Sequence, residues 1–95
     1  MPDHSHRLQQ LVEKALIRRG MRGASCRVFP PGSGGRAYSV ILEENRVREQ
    51  FFVNPADVDE FIRTGNEQFV LQEIRFGVRN LDRMAKKKTT ARRAD

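Results

Sequence analysis

Residues 36–53, RAYSVILEENRVREQFFV, alternate apolar and polar side chains on both sides of one short polar break. Tyr38, Val40 and Leu42 fall on one face of the first arm, and Val47, Phe51 and Val53 share a face of the second. An alternation of period two is the signature of a half-buried strand, because successive side chains in a strand point to opposite faces. The break at Glu44–Asn45–Arg46 is short enough for a hairpin turn. A hairpin by itself is at best marginally stable in water. This stretch therefore requires further strands beside it and helices across one face.

SCRVF, around Cys26 to Phe29, predicts the third strand. PPGSGG separates it from the hairpin. Two prolines cannot continue a central strand and the glycines do not pack, so this is a loop. Upstream, Leu8, Leu11, Val12, Ala15 and Leu16 recur at helical spacing, with Ser5 or Asp3 placed to cap the start. Arg18 and Arg19 suit the negative end of that helix, and Gly20 supplies the left-handed residue that ends it. Downstream, Asn54–Pro55 is a strong helix start and Gly65 a stop, with Val58, Phe61 and Ile62 facing inward. Val70, Ile74, Val78, Leu81 and Met84 then repeat at threes and fours and favour a second, longer helix. Across 69–79 a strand competes, since Ile74, Phe76 and Val78 also alternate with Arg75, Gly77 and Arg79, and Gly77 costs a helix about 1 kcal/mol. The periodicity continues through Met84, which favours helix over strand without closing the alternative.

The expected fold class is α+β: a two-layer domain, a three-stranded antiparallel meander with helices, in the order α-β-β-β-α-α. Residues 1–5 are expected as a flexible N-terminus, 6–84 as one domain and 85–95 as a basic disordered tail. The first five elements have the order found in double-stranded-RNA-binding domains. That family's lysine-rich start to its last helix would fall near Pro55, where Ala56, Asp57, Asp59 and Glu60 make the site acidic and repellent to phosphate. The resemblance is one of element order, which does not carry function.

Charge is unevenly distributed. The chain has 18 basic and 12 acidic residues, a net charge of +6. From Arg83 onward there are six bases (Arg83, Lys86, Lys87, Lys88, Arg92, Arg93) against Asp95, so the preceding 82 residues carry 12 bases and 11 acids, near balance. Arg75, Arg79 and Arg83 step by four along the last predicted helix and extend the basic strip onto the domain. A Lys- and Arg-rich end binds polyanions by releasing counterions. About five neutralised phosphates give a slope of log K against log salt near −4 to −5. The competing explanation is a solvated appendage. A separate feature is the far face of the sheet. Phe29, Ile41 and Phe52 point away from Tyr38, Leu42 and Phe51, and form an apolar interface there unless the last helix wraps around to cover them.

Catalytic chemistry finds little support. His4 and His6 sit on a loose end without the Cys or carboxylate array of a metal site. Cys26 lacks a neighbouring base and suits a small strand residue. Asp57, Asp59 and Glu60 suit a helix first turn, and Glu43 and Glu44 a solvated strand end. GSGG followed by Arg36 lacks the spacing of phosphate loops and joins two strands. No cofactor is implied. A single Cys fits a reducing compartment, no stretch approaches the roughly 18 apolar residues of a membrane helix, and the N-terminus lacks a signal pattern. The expectation is a cytoplasmic, non-catalytic protein. Its partner is nucleic acid of unspecified type or a nucleic-acid-bound protein, met through the tail and the Arg75/Arg79/Arg83 strip. The alternative is a protein-interaction module, a homodimer or adaptor, docking through Phe29, Ile41 and Phe52.

Overall fold

The structure, a computed structural model, describes residues 4–32 and 36–94, with side chains through Lys86. Helix α1 (Ser5–Arg18) leads into strands β1 (Ser25–Phe29), β2 (Tyr38–Glu44) and β3 (Val47–Val53), then helices α2 (Pro55–Thr64) and α3 (Gln68–Ala94). The strands form one antiparallel sheet in the order β1-β2-β3, the α+β arrangement expected from the pattern. Among the described residues, no helix is long and apolar enough to cross a membrane.

The hairpin turn is Asn45 and Arg46, both left-handed with φ of 56° and 66°. Two consecutive left-handed residues give the turn whose twist matches that of the flanking strands. The register then pairs Tyr38 with Val53 and Val40 with Phe51, so the apolar sets of the two arms meet on one face. Leu8, Val12, Val40, Leu42, Val53, Val58, Val70, Ile74 and Leu81 are fully buried between that face and the helices. Each contributes about 1.5–3 kcal/mol relative to exposure.

Caps follow the sequence at α2 and depart from it at α1. The Asn54 side chain accepts a hydrogen bond from the Ala56 N–H at 2.9 Å, Pro55 opens the helix, and Gly65 ends it at φ 80°. At α1 the capping residue is His4, with no side-chain cap bond, so Ser5 is the first helical residue and not the cap. Gly20 ends α1 in the left-handed region, as expected.

Helix α3 is continuous through Gly77, and the strand alternative for 69–79 falls. Gly77 is required there by tertiary packing. A Cβ at this position would overlap the ring of Phe51 on β3, and that contact lets α3 lie close on the sheet. The helical backbone of α3 runs on to Ala94. The side chains of 87–95, including Lys87, Lys88, Arg92 and Arg93, lie outside the described residues. So do Asp3 and the loop tip 33–35.

Candidate functional site

Two helices bring cations together. The buried stripe of α1, Leu8, Leu11, Val12 and Leu16, fixes which side chains stand at its edge. Lys14 and Arg18 are one turn apart on the flank that faces α3. In α3 the inward set is Val70, Ile74, Val78 and Leu81, which places Arg75 and Arg79 on the flank that faces α1. The helices run in the same direction. Leu11 and Leu71 lie along one groove, and Arg19 donates to Asp82 at its far end.

The groove encloses about 600 Å3. Buried Leu11 and Val78 and half-buried Ala15 and Leu71 form its floor, and exposed Lys14, Arg18, Arg75 and Arg79 form its rim. Phe76 stands at the edge with 56 % of its surface exposed. None of the four rim cations has an acidic partner among the described residues. The dipole of α1 accounts for Arg18 near its C-terminus. It does not account for Arg75 and Arg79 in the middle of α3, where gathered like charges repel one another and raise the local potential for an anion.

One end of the groove is neutralised. Asp82 accepts from Arg19 Nε at 2.8 Å and lies 3.3 Å from Lys86 Nζ. The Arg19 hydrogen bond holds the Asp82 carboxyl below the usual carboxylate range, assisted by Lys86 and against the cost of burial. Of the expected basic strip, Arg75 and Arg79 enter the groove. Arg83 lies one turn beyond, exposed, donating to Asn80 at 2.8 Å, and Lys86 is held by Asp82. Lys14, Arg18 and Phe76 were not visible as part of any site in the sequence. The only local signal is that Lys14/Arg18 and Arg75/Arg79 repeat the same four-residue step.

The far sheet face is open. Cross-strand rows read Phe29–Ser39–Phe52, Arg27–Ile41–Gln50 and Ser25–Glu43–Arg48. Phe29 and Phe52 are 46 % and 62 % exposed and Ile41 is half-buried, so α3 does not wrap around to cover them. Much of the polar part of this face is satisfied internally: Gln50 donates to Ser39 at 2.8 Å and Arg48 to Glu43 at 3.0 Å.

The remaining titratable groups stand apart. His4 is 3.9 Å from Asp59, and no group of three possible metal ligands occurs among the described residues. Burial, with the Glu13 charge added, pushes the Cys26 thiol up to about 12, which keeps it protonated. Burial and the Asp57 charge raise Glu73 to about 6 where α3 meets the start of α2, and Glu73 Oε2 has no hydrogen-bond partner. No protein-family model matches the chain, and no curated protein or solved structure matches it.

Proposed function

We propose that this chain is a small non-catalytic protein that contacts nucleic acid, alone or within a ribonucleoprotein, through the groove between α1 and α3. The observation that carries this reading is the set of four exposed cations, Lys14, Arg18, Arg75 and Arg79, that converge on one groove without counter-charge. Arg forms bidentate contacts with phosphate, and three of the four are Arg. Arg83 and the basic residues that end the chain add diffuse attraction. The compartment is the cytoplasm, where a lone thiol stays reduced.

The test is retention of a labelled oligonucleotide by the full chain over a salt series. The groove alone should give a slope of log K against log salt of about −3, and the C-terminal cations should steepen it. A flat slope, or no binding at low salt, overturns the proposal.

A second reading is a protein-interaction module docking through the open sheet face. It is favoured by the exposure of Phe29 and Phe52 on either side of Ser39. Sedimentation separates its homodimer form from the first: a dimer that Phe52→Lys converts to monomer supports docking between copies of this chain, and a monomer before substitution removes that form and leaves only docking to a different protein.

A further inference from the structure

We propose that the groove takes single-stranded nucleic acid in preference to duplex, with an unpaired base stacked on Phe76. Phosphates are held by Arg75 and Arg79 on one wall and by Lys14 and Arg18 on the other. The inference rests on the polyanion reading above and adds the class of polyanion.

Cations alone do not select between nucleic acids, and the selecting feature is aromatic. Phe76 is more than half exposed where an apolar ring has every reason to be buried, and its sequence neighbour Arg75 and Arg79 one turn on both line the same groove. Phe69, half exposed, lies seven residues earlier, about 10 Å along the same outer stripe of α3. Isolated exposed apolar residues need no explanation. An exposed ring beside paired guanidinium groups, as Phe76 stands beside Arg75 and Arg79, is the combination that single-strand binders use, the ring for a base face and the cations for the backbone. A duplex keeps its base faces stacked inside and offers only base edges and phosphates, so it reaches the rim and leaves Phe76 unused. An acidic peptide likewise satisfies the cations and not the ring.

The chain has no tryptophan, so Phe76→Trp installs a single tryptophan in the groove, excited selectively over Tyr38 at long wavelength. Its emission should be quenched by an oligothymidylate of about 12 nucleotides, within the span such grooves hold. A sugar-phosphate strand of the same length without bases should leave it unchanged. Phe76→Ala should weaken oligothymidylate binding by about 5- to 100-fold. The salt slope and any duplex binding should stay as they were. If Phe76→Ala binds like the original chain, or if duplex or polyglutamate binds as tightly as the single strand, the inference falls and the polyanion reading survives. If the original chain binds no polyanion at low salt, both fall together.

Discussion

The ring of Phe51 on β3 lies against the backbone of α3 at Gly77, in the space a side chain there would fill. In isolation, alanine is worth about 1 kcal/mol more than glycine in a helix. Here the Cβ must displace a core ring, and overpacking of that kind costs about 1–3 kcal/mol. Gly77→Ala should lower stability by at least about 1 kcal/mol in urea unfolding, against its helix propensity. Combined with Phe51→Val, the same substitution should lose its penalty, with a coupling of about 0.5–3 kcal/mol. An additive cycle contradicts the contact.

Asp82 ties the end of α1 to α3 through Arg19. Its folded pKa lies below the unfolded value of about 3.9. The stabilisation is therefore complete above that value and lost as pH falls through the folded pKa. Asp82→Asn should destabilise the chain by about 1–2 kcal/mol at pH 7. The gap between variant and parent should close on acidification below about pH 3.9. A gap that persists there points to packing and not to the ion pair.

Glu73 has the opposite sign. Burial and Asp57 raise its pKa to about 6, above an unfolded value near 4.3, so the fold prefers the protonated form. Its contribution is complete below about pH 4.3 and is lost as pH rises through about 6. Glu73→Gln should therefore stabilise the chain at pH 7 and leave it unchanged at pH 4, read as melting temperature at both pH values. A loss of stability at pH 7 contradicts this.

Cys26 is half-buried on β1, with its thiol pushed up to about 12. The thiolate is the reactive form. Alkylation by iodoacetamide at neutral to mildly alkaline pH should be slow in the native chain and rapid in urea. Native labelling at the rate of an unstructured thiol contradicts the burial.

The fold was legible because its signals are local. The alternation on either side of Asn45 and Arg46 defines the hairpin, Asn54–Pro55 and Gly65 bound α2, and the spacing from Val70 to Met84 defines α3. Gly77 misled because its reason is non-local: the residue it accommodates, Phe51, is 26 positions earlier in the chain. The cap of α1 misled because Ser5 offers a suitable side chain that the helix takes as its first residue. Half of the groove was also legible, since Arg75 and Arg79 share a face by spacing alone. Lys14 and Arg18 were not, because which helix flank faces which depends on how α1 and α3 pack on the sheet. Charge totals pointed to the chain end and away from residues 1–82, where near-balance in the sum conceals a local gathering of cations. Only three of the eleven acids in that span lie on α2, and four bases without an acidic partner among the described residues line the groove.

Salt dependence measures that gathering of cations directly. Oligonucleotide affinity should be followed against salt for the full chain, for Arg18→Gln with Arg75→Gln, and for Arg27→Gln on the far sheet face as a control. Each phosphate contact removed lowers the slope by about one. The groove pair should make the slope shallower by about two, and the Arg27 variant should leave it unchanged. If the groove pair and the Arg27 variant behave alike, with the slope carried wholly by the chain end, the groove is not the site.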